Sequence, residues 1–358
     1  LANLLITGGA GFIGGNFVHY WAGKYSDDTM IVLDCLTYAG NESTLAGVEQ
    51  AELVVGDIRD TALVEKLLRE RDIDTLVHFA AESHVDRSIS GPDAFIETNI
   101  LGTNSLLKAA RAVWLDKGSG KPHRFHHIST DEVYGSLGPG DPPFAETTQY
   151  RPNSPYSASK ASSDHLVRAY HHTFGLEVTT SNCSNNYGPF QYPEKLIPLF
   201  LLNALHGRSL PIYGDGMNVR DWLHVEDHCR GIEVCLAKGK PGETYNIGGG
   251  DELPNMTVID TICAEADRAF EEVEGLAERY PDAPAARGVK SETLKTFVTD
   301  RAGHDRRYTI DETKARAELG YVPQRGFEEG LRQTLRWYLD REDWWRPLLA
   351  PAAKGDVC

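Results

Sequence analysis

Three adjacent residues, Thr130, Asp131 and Glu132, set a hydroxyl and two carboxylates at the end of an apolar-leaning run, residues 124–129. Further on, Tyr156 and Lys160 stand four apart, the spacing that puts two side chains on one face of a helix. A hydroxyl, a phenol and an ammonium suit removal of an alcohol proton while hydride leaves the same carbon. A phenol of ordinary pKa ~10 is a poor base at neutral pH, so a nearby ammonium and a positive nicotinamide ring are expected to lower it. Two further carboxylates suit acid–base elimination. Neighbours along a strand face opposite ways, so the three residues converge only if the strand stops there. Close carboxylates also resist double ionisation, which helps keep Asp131 protonated. Taken alone, such a Tyr/Lys pair decorates helix surfaces, and paired carboxylates cap helices or face water; the surrounding sequence decides.

That surrounding begins at the N-terminus. Gly8, Gly11 and Gly14 are spaced by three between a strand pattern and a helix pattern, with Phe12 and Ile13 opening the helix. The first glycine permits a tight turn, the second a close approach to a pyrophosphate, the third close helix–strand packing. The helix N-terminus then offers N–H groups to phosphates. Asp34 ends the next strand pattern, where a carboxylate accepts from ribose hydroxyls and repels a 2′-phosphate. Cys35 beside it brings no positive charge, so NAD is expected over NADP. Asp57 and Ile58, after the third strand pattern, are candidate adenine contacts; a strand cap would look the same.

Strand patterns occupy residues 4–7, 30–34, 53–56, 75–79, 125–129 and 177–183, and helix patterns 12–23, 62–71, 95–114 and 157–174. This alternation predicts an α/β fold, a doubly wound parallel sheet of Rossmann type. After Cys183 the chain becomes turn-rich, with helices expected at 258–273 and 328–339 and an exposed linker at 279–287. The expected division is a dinucleotide domain over 1–185, rejoined by about 219–247, and a smaller substrate lobe over 186–358. Ligand is expected in the cleft between them, beyond the carboxyl ends of the strands.

The chain has 358 residues and a formal net charge of −16, which argues against nucleic acid and anionic membranes as partners. An anionic nucleotide must then be held by a few local cations and helix N-termini. No run approaches a membrane span, and no signal peptide is expected ahead of the first strand. Six scattered cysteines without a Cys-x-x-Cys pair fit reduced thiols in a cytoplasmic protein. The histidine pairs His126/His127 and His171/His172 cannot share an ion easily on a strand or a helix, so no metal is expected.

The glycine spacing, Thr130 and the Tyr156/Lys160 pair resemble the extended short-chain dehydrogenase/reductases. More narrowly, segments 78–88, 129–135, 182–189, 193–198 and 303–308 resemble the dTDP-glucose 4,6-dehydratases across nearly the whole chain. The resemblance implies oxidation at C4 by Tyr156 and NAD, C5 deprotonation by Glu132, proton donation from Asp131 to the leaving C6 hydroxyl, and return of hydride to C6. Thr130 and Lys160 assist Tyr156. It adds Leu36, Thr37, Phe79, Ala80, Ala81, Ser83, Thr98 and Asn186 to the cofactor set. It assigns substrate contacts to Ser83, Asn185, Lys195, Leu196, Pro211, Ile212, Tyr213, Asn255, Asp300, Arg301 and His304, with Arg220 on the pyrophosphate, where a guanidinium grips bidentately. It also implies a homodimer with dTDP-glucose as substrate. Ala302 stands where relatives often have Pro. A nucleotide-sugar 4-epimerase, another 4,6-dehydratase or a silent dinucleotide sensor are the alternatives; product analysis separates the first two, and any turnover excludes the third.

Overall fold

The computed structural model describes residues 2–118, 121–300 and 304–349. Arg301, Ala302 and Gly303 lie outside the described residues. Among the described residues twelve strands run in chain order: β1 (Asn3–Thr7), β2 (Thr29–Asp34), β3 (Ala51–Val55), β4 (Thr75–His78), β5 (Arg124–Thr130), β6 (Val178–Cys183), β7 (Asn185–Tyr187), β8 (Leu210–Tyr213), β9 (Val219–His224), β10 (Thr244–Ile247), β11 (Asp251–Pro254) and β12 (Lys295–Val298).

Seven of them form one parallel sheet in the order β3-β2-β1-β4-β5-β6-β10. β1, β2, β4 and β6 are buried almost throughout because helices cover both faces, which explains their continuous apolar and small-residue character. Phe12–Lys24 packs on Val225–Lys238 over one face, and Thr61–Glu70, residues 93–116 and Pro155–Phe174 cover the other. Strand order turns back between β1 and β4, where doubly wound sheets open a crevice at their carboxyl ends.

Residues 95–114 read as one helix from sequence, and residues 93–116 are one continuous helical run, but it carries two π-helical stretches, Ile96–Gly102 and Ala112–Asp116. The first brings Asn99 over the loop after β4. Its side-chain amide donates to Glu82 O at 3.0 Å and Ser159 Oγ at 2.8 Å, and its carbonyl accepts from Glu82 N at 2.9 Å. Such widened turns are found mostly where a function needs them. A Cβ at Gly102 would collide with Ile58, so this run packs closely against the loop after β3.

Of residues 219–247, the helix Val225–Lys238 and β10 join the large sheet, while β9 lies between β11 and β7 in a small three-stranded sheet. β8 and β12 form a two-stranded sheet. A second core, built from the helices Leu196–Leu205, Asn255–Glu272 and Phe327–Asp340, lies against these small sheets. The stretch 279–287 is not an exposed linker. Tyr280 and Ala283 are buried in that second core, and Arg279, Pro281, Asp282 and Arg287 are the residues of the stretch that face solvent. Its prolines and alanines shape two short turns that cover the core, a role the same composition also allows.

His126 and His127 do face opposite ways: His126 bonds to Thr179 and Ser181, His127 to Asp164. His228, in the helix packed behind β5, meets Asn186 Oδ1 at 2.9 Å, and burial pushes its pKa down to about 3. The unfolded chain therefore binds this proton from pH ~6.5 downward while the folded chain refuses it. His228→Gln is expected to flatten the acid limb of stability between pH 6 and 4 by about one proton, some 1.4 kcal/mol per pH unit, in urea unfolding. An unchanged slope would show that His228 is not a source of acid sensitivity.

Candidate active site

A cavity of about 490 Å³ opens at the carboxyl ends of β1, β2, β4 and β5. Its floor is the glycine turn. Gly8 has φ +72° and a Cβ there would stand 2.6 Å from Ala80 N, so only glycine fits between β1 and the loop after β4. A Cβ on Gly14 would run into the Gly8 carbonyl, whereas one on Gly11 would meet nothing nearer than that carbonyl at 3.3 Å. Gly11 caps Phe12–Lys24 without a side-chain bond, and no acid sits in the first turn, so the helix presents bare N–H groups to the cavity.

Asp34 closes β2 with its carboxylate fixed by Ala10 N at 3.0 Å and Leu36 N at 2.9 Å. Burial raises its pKa, and those two N–H groups oppose the rise. Leu36 adopts φ +52° and turns off the cavity wall, leaving its N–H as its contribution. Asp57 is bound by Arg59, which also reaches Glu97 at 2.5 Å, so the far end of the cavity is framed by an ion-paired arginine. These features fit an adenine dinucleotide: a carboxylate for the ribose, unblocked amides for the pyrophosphate, and a close glycine floor.

β5 ends at Thr130, which is still extended (φ −139°, ψ 152°), and the chain turns at once into the 3₁₀ turn Asp131–Tyr134. This break lets the three adjacent residues share one cavity wall. Thr130 Oγ1 accepts from Glu132 N at 3.3 Å and donates to Asp131 Oδ1 at 3.3 Å. Asp131 is 1% exposed, and its Oδ2 has no hydrogen-bond partner among the described residues. Burial, then the charges of Glu132 and Asp221, hold its pKa well above the carboxylate range against the pull of Arg220. A neutral carboxylic acid beside an anionic carboxylate is the arrangement a paired general acid and base requires.

Tyr156 and Lys160 come from Pro155–Phe174, whose start is fixed by a capping box between Ser154 and Ser157. The helix is locked to β5 by Asp164, which accepts from Ser129 Oγ at 2.8 Å and Tyr150 OH at 3.0 Å and meets His127 Nε2 at 3.0 Å. Lys160 Nζ donates to Ile128 O at 2.8 Å. The expected lowering of the Tyr156 pKa is not present in the protein alone. Burial and the Glu132 carboxylate raise it well above 10, opposed by the Thr130 hydroxyl, while burial lowers that of Lys160. The ammonium is drawn to a backbone carbonyl, and the dominant charge facing the phenol is negative.

The cavity wall takes in every cofactor-side residue named from the sequence except Leu36, together with Thr130, Asp131, Glu132, Asn185 and Lys195. Leu196, Pro211, Ile212, Tyr213, Arg220, Asn255, Asp300 and His304 are not on that wall. Leu196 leans on the second core. Pairing of β8 with β12 instead gathers Tyr213, His304 and Asp300: His304 bonds Asp300 at 2.6 Å, and the Tyr213 ring stands 6.4 Å from that of His304. Arg220 is 5% exposed, stacked 4.3 Å over Tyr308 and donating to Asp305 O at 2.9 Å. Residues that sequence reading passed over also line the cavity, among them Tyr38, Arg59, Glu82, Ser184, Gln191 and Glu194. Glu194 adjoins Lys195 in a segment already singled out; Tyr38 and Gln191 carried no signal, since loops of distant origin bring them in.

Sheet order, glycine turn and Tyr/Lys pair define an extended short-chain dehydrogenase/reductase. A profile of the family described as GDP-mannose 4,6 dehydratase matches residues 5–334. The dTDP-glucose 4,6-dehydratase of Xanthomonas campestris pv. campestris (strain B100) is 53% identical over 349 residues, 96% of this chain and 95% of that protein. The dTDP-glucose 4,6-dehydratase of Streptomyces venezuelae, solved with NAD and TYD bound, superposes with a TM-score of 0.85 at 48% identity, covering 97% of this chain and 99% of that one. That of Bacillus anthracis str. Ames, in complex with NAD, gives 0.83 at 43% identity, covering 97% and 100%. The chain belongs to the dTDP-glucose 4,6-dehydratase family.

The two outer glycines should separate packing from ligand binding. Gly14→Ala is expected to destabilise the cofactor-stripped protein by about 1–3 kcal/mol, because the helix must move off β1. Gly11→Ala should leave thermal unfolding nearly unchanged yet weaken dinucleotide binding in a fluorescence titration. Equal stability losses in both variants would contradict this assignment.

Proposed function

We propose that this chain dehydrates dTDP-glucose to dTDP-4-keto-6-deoxyglucose, using NAD without net consumption. The observation that carries the reading is the shared cavity wall of Thr130, Asp131, Glu132 and Tyr156, with a buried acid next to a half-buried carboxylate. The glycine turn and Asp34 would hold NAD, which would supply a hydride acceptor for C4 and the hydride returned to C6. Tyr156 removes the O4 proton, with Thr130 bonded to the same oxygen. The positive nicotinamide ring offsets the pressure of burial and Glu132 on the phenol.

The C4 ketone acidifies the C5 hydrogen, which Glu132 removes. Asp131 gives its proton to the departing O6, and water leaves. Glu132 then returns a proton to C5. The lone pair of hydroxyl and hydride steps would suit a 4-epimerase equally; the added acid and base favour elimination. Arg220 and Asn185 are assigned to the diphosphate, with Asn255 assisting, and Tyr213, Asp300 and His304 to the nucleoside end. A metal ion has no part in this scheme.

Asp131→Asn and Glu132→Gln should split the reaction. Each is expected to lower product formation by about 10²–10⁴-fold. Asp131→Asn should still exchange the C5 hydrogen with solvent deuterium, whereas Glu132→Gln should not. Normal C5 exchange in Glu132→Gln would remove Glu132 from the base role. In the unmutated protein, deuterium placed at C4 should appear in the new methyl group; its release as free reduced dinucleotide would overturn the proposal.

We also infer a cytoplasmic homodimer. Among the described residues no helix is long and apolar enough to cross a membrane. Ile96 and Leu101, on the helical run beside the Tyr156 helix, are 47% and 53% exposed, and Phe174 at that helix's end is 40% exposed. Apolar groups on adjoining helices supply a surface that a second copy can cover. Leu101→Lys is expected to shift sedimentation from dimer to monomer; a monomeric unmutated protein would end this inference.

A further inference from the structure

A dinucleotide that lends and recovers its hydride within one turnover has to stay on the chain between the two transfers. Reduced cofactor lost midway would strand an oxidised, dehydrated sugar. The glycine floor offers phosphates only dipoles, so retention has to come from the walls above it.

Three wall segments from separate parts of the chain meet at one residue that lies behind the wall. Tyr38 follows β2, Ser83 follows β4, and Tyr192, Glu194 and Lys195 precede the helix Leu196–Leu205; all five line the cavity. Arg87 does not line it. It stands in the short helix Val85–Ser90 with 47% of its side chain exposed. Its guanidinium carbon lies 3.5 Å from the centre of the Tyr38 ring, and its Nη2 donates to Glu194 Oε2 at 3.0 Å. The Tyr192 ring meets the Tyr38 ring edge-on at 5.4 Å, and Lys195 Nζ donates to Ser83 O at 3.3 Å. Each segment is thereby fastened to another.

Sheet order makes this junction a bridge. β1 lies between β2 and β4. A contact from the segment after β4 to the loop after β2 therefore crosses the end of β1, where the glycine turn forms the cavity floor. The bonds involved are of the reversible kind: an exposed cation–ring contact and a half-exposed ion pair are individually weak and can open and reclose.

We propose that Arg87 straps the cofactor cavity, tying the loop after β2 to the segment ahead of Leu196–Leu205 and slowing the escape of NAD until hydride has been returned. Arg87 is a positioning residue that acts through Tyr38 and Glu194. The inference rests on the reading that NAD occupies this cavity and is restored in each turnover.

Holoprotein loaded with radiolabelled NAD and chased with excess unlabelled NAD tests it. Arg87→Gln is expected to release label about tenfold faster, through loss of one cation–ring contact and one ion pair. Arg87→Lys should fall between, because an ammonium can keep the ion pair but not the planar stack. During turnover of dTDP-glucose, Arg87→Gln should also shed reduced dinucleotide into a filtrate, which the unmutated protein should not. Arg346→Gln removes an ion pair to Glu342 and a cation–ring contact with Trp345 off the cavity wall, and should leave label release unchanged. If Arg87→Gln does not fold, Tyr38→Leu, which takes the ring from under the guanidinium, carries the test with the same expected acceleration. Unchanged release from Arg87→Gln, or equal acceleration in Arg346→Gln, would overturn the strap. An unmutated protein that retains no labelled NAD would defeat the reading of the cavity itself, whereas retained label that leaves Arg87→Gln no faster defeats only the strap.

Discussion

The termination of β5 at Thr130 is the constraint on which this site depends. Had the strand run on by two residues, Asp131 would face one side of the sheet and Glu132 the other. The Thr130 hydroxyl accepts the Glu132 N–H and starts a 3₁₀ turn, so the hydroxyl and both carboxylates project into one cavity. Gly135, at φ +96° and packed against the Arg151 carbonyl, ends that turn where a side chain could not. A local backbone event thereby converts consecutive residues into a convergent set.

Convergence is useful only if the facing helix is held still, and the hydrogen bonds are spent there. Asp164 ties the Tyr156 helix to β5 through Ser129, His127 and Tyr150. Asn99, displaced by the π stretch, ties the same helix to the loop bearing Glu82 through Ser159, and its backbone carbonyl accepts from Ser163 Oγ at 2.7 Å. Buried polar groups that are fully bonded rigidify, while a single missing partner is costly. Among the described residues the buried atoms of this region left without a partner are His127 Nδ1, Asn182 Oδ1, Ser184 Oγ and, on the catalytic wall's acid, Asp131 Oδ2. An atom left without a partner on an acid held protonated is where a leaving oxygen can bind, so Asp131 Oδ2 coincides with the place assigned to chemistry.

Much of this was legible beforehand, for identifiable reasons. Six of the seven strands of the large sheet matched to within two residues at each end, because buried parallel strands leave continuous runs, whereas β10 was not read as a strand. The glycine turn, Asp34 and the Tyr/Lys spacing are local devices, readable over a few positions. What was not legible depends on distant pairing. β11 lies on β9 through Asp251↔Trp222, and β12 on β8 through Lys295↔Leu210; neither leaves a periodic trace in the sequence. Tyr280 and Ala283 became core for the same reason, since the surface they cover belongs to other segments. The expected lowering of the phenol's pKa rested on the nicotinamide as well as on Lys160; in the protein alone burial and the Glu132 carboxylate raise it, and Lys160 is bonded to Ile128 O.

The charge distribution explains how an acidic chain can hold an anionic ligand. At −16 the protein's overall field repels a nucleotide, and the cations lining the cavity are already engaged: Arg59 with Asp57 and Glu97, Lys160 with a carbonyl, Lys195 with Ser83 O at 3.3 Å. Attraction has to come from dipoles that carry no compensating anion, chiefly the uncapped N–H groups after Gly11. Such groups act at contact distance and are little screened there, whereas net charge acts over a Debye length of about 8 Å in physiological salt. Recognition is thus confined to the cavity floor, and the acidic surface is free to serve solubility. The same economy explains why the buried carboxylates Asp34, Asp131 and Asp221 can be tolerated: each is held by backbone N–H groups or kept neutral, so none requires a cation that the phosphates would otherwise need.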